Sequence, residues 1–396
     1  MNKGVAVTGM GVISSIGNNV GENYGSLVAG KSGISFPEVL DTVHRNLPVA
    51  EIKISNEDLA EKLQLPAKHS FTRAALLGTL AAQEALLQGG FSKAPEGTGF
   101  ISGTSVGGID ATEKYFFDYP EHEENRRFIP AQHPGFTTEK IAEQIGISGF
   151  VTTLSTACSS AANAIMLGAR MIKSGQLKRV IVGGTDCLTK FTLNGFHSLL
   201  LVSEEANKPF DENRHGLNLG EAAAYLVLEA DEVLEGKPVL GRLSGYGNAN
   251  DAFHQTASSE NGEGAFLAMQ KSLKIAGLQP KDIDYINAHG TATKNNDLAE
   301  SRALQRIFSE NLPDFSSTKS FTGHTLGAAG AVEAVFSLLA IQQGNIFPNL
   351  NFSDPMKETG LRPVTFLEQK DVKHVLSNSF GFGGNCTSLI FSRNEE

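Results

Sequence analysis

Of the chain's three cysteines, Cys158 stands in Ser155-Thr156-Ala157-Cys158-Ser159-Ser160, after a β-branched run and before an Ala-rich stretch. No charged side chain occurs from Ile145 to Ala169, so the helix that follows the thiol must run through the interior. The first turn of such a helix offers unpaired N–H groups and a partial positive charge. A thiol there is predicted to ionise more readily than a free cysteine and to act as a nucleophile, with nearby amides receiving a developing oxyanion. The plainer alternative is a buried cysteine that only fills space. Two histidines share its small-residue surroundings: His289 in Asn287-Ala288-His289-Gly290-Thr291-Ala292-Thr293, and His324 in Lys319-Ser320-Phe321-Thr322-Gly323-His324-Thr325-Leu326-Gly327. Glycine and alanine leave room for a substrate beside an imidazole, where a core histidine normally has bulky neighbours. Their joint occurrence with Cys158 points to one catalytic constellation. Lys319, with Asp297 and Glu300 on the helix after His289, could form a charge network behind the imidazoles, the alternative being a surface ion pair of little value. The loop Phe380-Gly381-Phe382-Gly383-Gly384 could bring a backbone N–H close to a reacting carbonyl. It fits a phosphate loop poorly, because it leads into a strand and lacks the lysine.

The elements that must position these groups alternate. Strand-like runs at Gly4–Thr8, Gly99–Ser102, Arg179–Gly183 and Ala223–Glu229 are interspersed with helical patterns at Thr72–Gln88 and Ser159–Lys173, which indicates α/β layers. A second series follows: helix Gly264–Ala276, strand Ile283–Ala288, helices Asp297–Phe308 and Gly327–Gln343, and strands near Val375–Ser377 and Ser388–Phe391. Cys158 opens one buried Ala-rich helix and His324 precedes another, an echo that suggests duplication into halves 1–240 and 241–396. Its consequence would be two helix N-termini facing one another across a shared site. No Pro-, Ser- or charge-rich linker separates the halves, so they are expected to pack as one body.

With 396 residues the chain can bury a large core. Three unevenly spaced cysteines make no disulfide framework and no CxxC pair suggests zinc, so a reducing cytoplasm is expected. The strand-like Val5-Ala6-Val7 has no basic and apolar leader before it, and no membrane association is expected. A net charge of −10 argues against nucleic-acid binding. An acidic partner would need a local basic patch, for which Lys68, Arg73, Arg126 and Arg127 are the candidates; scattered solvated charges are the alternative.

These blocks together, Thr156-Ala157-Cys158-Ser159-Ser160, His289-Gly290-Thr291-Ala292-Thr293, Lys319 to His324 and Phe380 to Gly384, resemble the elongating β-ketoacyl-acyl-carrier-protein synthases, in order and spacing over nearly the whole chain. The resemblance implies a thiolase-like α/β fold, two similar halves giving five layers α-β-α-β-α. It implies a homodimer, or a heterodimer with a related chain-length subunit, that works with acyl carrier protein without a cofactor or metal. The implied reaction is a decarboxylating Claisen condensation. Cys158 would carry the acyl chain, the N–H groups of Cys158 and Phe382 would hold the oxyanion, and His289 and His324 would stabilise the enolate. Lys319 would orient the His324 side, Glu300 would pair with Lys319, and Phe382 would gate the thiol. Val106 would line the acyl pocket, with Phe380, Thr291 and Thr293 also touching substrate. A structural cation near Asn287, Glu333 and Asn378 is left unassigned, although a buried Glu333 needs compensation.

The chain departs from the family at Glu221-Ala222-Ala223-Ala224, at His215, at Asn385-Cys386, at Pro130 to Gly135 and at the acidic Ser203-Glu204-Glu205. These changes leave the chemistry intact and open a pathway-specific role in polyene or polyketide synthesis beside fatty-acid elongation. A thiolase would need a second catalytic cysteine, and Cys386 at the start of a strand is a poor one. A starter synthase would carry asparagine for the second histidine, and a non-catalytic chain-length subunit would lack Cys158.

Overall fold

A computed structural model describes residues 4–395. The first series of apolar runs forms strands β1 (Val5–Ser14), β2 (Gly99–Gly103), β3 (Val151–Leu154), β4 (Arg179–Asp186) and β5 (Ala222–Glu229). The second forms β6 (Gly241–Asn250), β7 (Tyr285–Asn287), β8 (Asp314–Ser316), β9 (His374–Phe380) and β10 (Asn385–Ser392). One ten-stranded sheet joins them in the order β8-β7-β9-β10-β6-β1-β5-β4-β2-β3. In the first block β2 runs parallel to β3 and β4, while β5 is antiparallel to β4 and β1. In the second block β7 runs parallel to β8 and β9, while β10 is antiparallel to β9 and β6. Each strand therefore has a counterpart five strands later in the chain. The blocks meet edge to edge, with Val5, Ala6 and Val7 of β1 opposite Leu243, Arg242 and Gly241 of β6.

Strands β1 and β5 are buried along their whole length, and their continuous apolar character follows from being covered on both faces. The covering helices are α1 (Arg73–Gln88), α2 (Pro134–Ile145), α3 (Ser160–Lys173), α4 (Glu263–Ala276), α5 (Lys294–Phe308) and α6 (Ala329–Gln343). Thr72 caps α1 by accepting from the Ala75 N–H, and α1 packs with α2 on the outer side of the first block. Helices α4 and α5 cover the outer side of the second block, and α3 and α6 pack against each other between the blocks. The result is five layers, α-β-α-β-α. The central helices meet where a Cβ on Gly330 would lie 2.8 Å from that of Ala162, so only glycine permits this crossing. Residues Leu326–Gln343 have a mean hydropathy of 1.3, enough for a membrane span, but 89% of the segment is buried inside the protein. Nothing else among the described residues is both long and apolar enough to cross a membrane as a helix.

Most expected elements form near their sequence limits, but β1 continues past Thr8 to Ser14, β4, β9 and β10 run longer than expected, and β3, β6 and β8 lie outside the expected strands. Strand β7 is shorter than the run Ile283–Ala288, because Ile283 closes a 3₁₀ turn over Pro280–Asp282. Helix α5 begins at Lys294, three residues before the expected Asp297.

Candidate active site

Between the end of β3 and the start of α3 the chain turns sharply, and Ala157 adopts φ 53°. A left-handed alanine costs about 1–2 kcal/mol, which the surrounding packing must hold in place. The N–H groups of Ser159 and Ser160 donate back to the carbonyls of Thr156 and Ala157, at 3.3 and 3.1 Å. The N–H groups of Ser159 and Ser160 at the start of the helix are thus occupied locally rather than unpaired. The backbone N–H groups of Phe382 and Cys158 favour the charged form of the Cys158 sulfur instead. The predicted lowering of the thiol pKa is also reversed: burial pushes it up to about 11, against the opposing pull of Lys319 and the Phe382 amide. The resting group is a neutral thiol. Gly381 makes the close approach of its loop possible, since a Cβ there would stand 2.7 Å from the Thr156 carbonyl oxygen and 3.2 Å from the Cys158 nitrogen.

His289 follows β7 and His324 lies just before α6, and their rings meet edge to face with centroids 5.4 Å apart. Burial holds both imidazoles well below the usual histidine pKa, with the Lys319 charge adding to the effect. Both rings are neutral at pH 7. The Lys319 Nζ lies 3.3 Å from His289 Nδ1, and an ammonium can only donate, so His289 carries its own proton on Nε2. The His324 backbone is clamped by its N–H donating to the Asn218 carbonyl at 2.7 Å and by the Gly220 N–H donating to its own carbonyl at 3.0 Å.

The partner of Lys319 is Glu333 on α6, and both side chains are buried. This corrects the expected pairing with Glu300. Glu300 lies on the helix that follows His289, and from there it folds back to accept from the N–H groups of His289 and Gly290, at 2.9 and 2.8 Å. Asn378 also donates to it, at 3.1 Å. Glu300 therefore fixes the backbone that carries His289, and burial raises its pKa to about 7. Burial likewise raises Glu333, with Lys319 opposing. The compensation that a buried Glu333 demands is supplied by a lysine of this chain. Asp297, the other expected member of the network, instead accepts from the N–H groups of Phe210 and Ala292.

A cavity of about 430 Å³ connects these groups, with Cys158, His289, His324, Phe380 and Phe382 on its wall. Thr291 and Thr293 line it too, their hydroxyls 2.9 Å apart. Phe382 stacks on Phe196, centroids 5.7 Å apart. Val106 is not on this wall, although it was expected to line the acyl pocket. Its loop is tied to the buried Asp186, which accepts from Thr104 Oγ1 at 2.6 Å, the Ser105 N–H at 2.9 Å and the Gly327 N–H at 2.7 Å. Asp186 ends a buried strand and carries no other sequence signal.

The expected basic patch is dispersed. Arg73 is only 6% exposed and makes a bidentate pair with Glu221, at 2.8 and 2.6 Å, so it is unavailable for docking. Its remaining donors go to the carbonyls of Ile52 and Ile54 and to Asn56, which explains the chain's unusual Glu221. Arg127 is half-buried and donates to the His69 and Glu124 carbonyls. Lys68 and Arg126 remain exposed.

A thiol at a strained strand-to-helix turn, two neutral imidazoles beside it and a doubled five-layer frame define a condensing enzyme of the thiolase type. Comparison with known proteins agrees. The family model "Beta-ketoacyl synthase, N-terminal domain" matches residues 2–233, and "Beta-ketoacyl synthase, C-terminal domain" matches residues 240–353. The 3-oxoacyl-[acyl-carrier-protein] synthase 2 of Staphylococcus aureus (strain COL) is 34% identical over 413 residues, covering 100% of this chain and 99% of that protein. Among solved structures, the ishigamide ketosynthase/chain length factor superposes with a TM-score of 0.93 at 29% identity, covering 99% of this chain and 100% of that one. The ketosynthase ApeO of Xenorhabdus doucetiae, solved in complex with its chain length factor ApeC, gives 0.85 at 31% identity over 98% of each chain. The chain belongs to the β-ketoacyl synthase family of C–C bond-forming acyltransferases.

Proposed function

We propose that this protein is a 3-oxoacyl-acyl-carrier-protein synthase that extends an acyl chain held on Cys158. The observation that carries the proposal is the pair of neutral imidazoles beside the buried thiol, with His289 fixed as a donor by Lys319. In the first half-reaction the Cys158 sulfur attacks the thioester carbonyl of an acyl-carrier protein. The amides of Cys158 and Phe382 receive the oxyanion, and the carrier thiol leaves with the proton. In the second, malonyl-carrier protein enters and loses carbon dioxide, and the electron pair of the broken bond becomes an enolate. Hydrogen bonds from His289 and His324 to the thioester oxygen stabilise that enolate, each donor being worth about 3 kcal/mol at the transition state. The carbanion then attacks the acyl-Cys158 carbonyl and expels the sulfur. No general base is needed for carbon–carbon bond formation, because decarboxylation generates the nucleophile.

Lys319 and Glu300 act as positioning residues for His289, one through the ring and one through the backbone. Phe382 gates the thiol, and Phe380, Thr291 and Thr293 touch the substrate. Lys68, Arg126 and Arg127 are the carrier-docking candidates once Arg73 is set aside. A second, related subunit fits the uncovered edge strand β3, where Phe150 and Val151 are 41% and 37% exposed. That feature, with the ketosynthase and chain-length-factor structures it resembles, favours a second reading as a pathway-specific polyketide or aryl-polyene ketosynthase. Three unpaired cysteines, all buried, support a reducing cytoplasmic setting.

The test is intact-protein mass spectrometry after incubation with acyl-carrier proteins of different chain type. One acyl group is expected on Cys158, followed by carbon dioxide and a 3-oxoacyl product when malonyl-carrier protein is added. Failure of every acyl-carrier protein to load Cys158 would exclude the assignment.

A further inference from the structure

The stretch from His289 to Asn295 passes from the interior to the surface: His289 and Thr291 are buried, Thr293 is half-buried, and Lys294 and Asn295 are exposed. All five face the cavity that holds Cys158. One wall therefore descends from an exposed ammonium, past a pair of hydroxyls, to a donor imidazole beside the nucleophile. Among the described residues Lys294 is the only lysine or arginine on that wall, and its side chain makes no ion pair or hydrogen bond. The only carboxylate on the wall, Asp251, is already satisfied: it accepts from the Ser259 N–H and hydroxyl and from the Gly264 N–H, at 2.6, 2.6 and 2.8 Å. The other groups around the mouth that can bear positive charge are the exposed imidazoles of His215 and His254. A cavity whose free charge is positive at its mouth and whose floor is a thiol suits a ligand with an anion at one end and a thioester at the other.

We infer that Lys294 binds the phosphate of the phosphopantetheine-type arm on which the thioester is delivered, an inference that rests on the condensing-enzyme reading above. The phosphate meets Lys294 at the rim, the arm's amides pass Thr291 and Thr293, and the thioester reaches Cys158 or the two imidazoles. A lysine serves such a diester as a mobile point charge. His215 and His254 flank the same mouth.

The experiment compares three malonyl thioesters as extenders of acyl-loaded enzyme: pantetheine, phosphopantetheine and coenzyme A. The wild-type protein is expected to prefer phosphopantetheine over pantetheine by about tenfold in kcat/KM, the size of one charge-assisted contact. In Lys294→Ala that ratio should fall close to one, and in Lys294→Arg it should largely persist. Because the quantity is a ratio within one variant, a general loss of folding or turnover cancels. Coenzyme A is expected to behave like phosphopantetheine, since it carries a phosphate at the same place along the arm. A wild-type ratio near one, an unchanged ratio in Lys294→Ala, or a Lys294 effect confined to coenzyme A would each overturn the inference. Loading of Cys158 by acyl-carrier protein, measured separately, distinguishes these outcomes from failure of the condensing-enzyme reading itself.

Discussion

The two blocks of the sheet share one pattern of strand pairing, and the proposed reaction gives them opposite chemical jobs. In the first, the link from β3 to α3 is a tight turn over residues 155–159, held by a left-handed Ala157, and it presents the nucleophile. In the second, the equivalent link from β8 to α6 is longer and folds a short helix, Lys319–Thr322, before reaching His324. The loops after β2 and β7 diverge in the same way. The first is tethered by Asp186 and carries no catalytic group, whereas the second carries His289 on a backbone fastened by Glu300. A duplicated frame fixes where loops emerge at the carboxyl ends of parallel strands, and loop length and side chains then decide which half attacks and which half stabilises charge.

Removing the attacking group alone should have the largest effect. Cys158→Ala should lower condensation on the order of 10⁴-fold or more, because no other group forms the acyl intermediate. It should retain decarboxylation of malonyl-carrier protein, measured as released carbon dioxide. Continued chain extension by this variant would show that the two jobs are not divided as described. The reciprocal change, His289→Ala, should cut decarboxylation by about 10²–10³-fold, the usual cost of one oxyanion donor. Loading of Cys158 should survive it, as read by mass spectrometry, and equal loss of both steps would contradict separate roles.

Which residues meet was largely readable in the sequence: Cys158, His289, His324, Phe380 and Phe382 share one cavity. The uncharged run around Cys158, the small residues flanking His289 and His324, and the alternation of strands and helices all mark features set by local chemistry. Three features were not readable, each for a physical reason. The partner of Lys319 depends on which of two buried glutamates a fold brings near it, and sequence distance favours neither Glu300 nor Glu333. Arg73 has the composition of a surface cation, and only the position of Glu221 in a buried strand converts it into a core residue. The thiol pKa balances desolvation against the pull of Lys319 and the Phe382 amide, and the depth of burial that decides it is a tertiary property.

Among the described residues each half also contains a buried ion pair of its own, Arg73 with Glu221 and Lys319 with Glu333, while Arg214 and Asp297 form one across the halves. Arg73→Ala and Lys319→Ala should each destabilise the fold by about 3–5 kcal/mol, since each strands a buried carboxylate; chemical denaturation measures this. Replacing both members by apolar residues should separate the two. Arg73→Met with Glu221→Leu is expected to recover stability together with condensation. Lys319→Met with Glu333→Leu should recover stability but not decarboxylation, because His289 Nδ1 loses its donor and the ring its fixed tautomer. Recovery of decarboxylation in the second double variant would remove Lys319 from the positioning of His289.

The smallest effect concerns pH, where the halves should differ in sign. A thiol raised to about 11 is ionised only slightly at neutral pH, and its thiolate fraction grows about tenfold per unit as pH rises toward that value. Alkylation of Cys158 by iodoacetamide should therefore keep accelerating through pH 9 and 10, where a free cysteine levels off near its usual pKa of about 8.5. The histidines move the other way. Burial and the Lys319 charge keep them neutral well below the ordinary 6.5, so the Nε2 proton of His289 is present on both sides of that value. Decarboxylation by Cys158→Ala, followed as carbon dioxide release, should thus be flat from pH 7.5 down through 6.5 and fall only in more acid solution. A half-maximal rate at pH 6.5 would mean that the imidazoles titrate as free groups and that the buried lysine does not govern them.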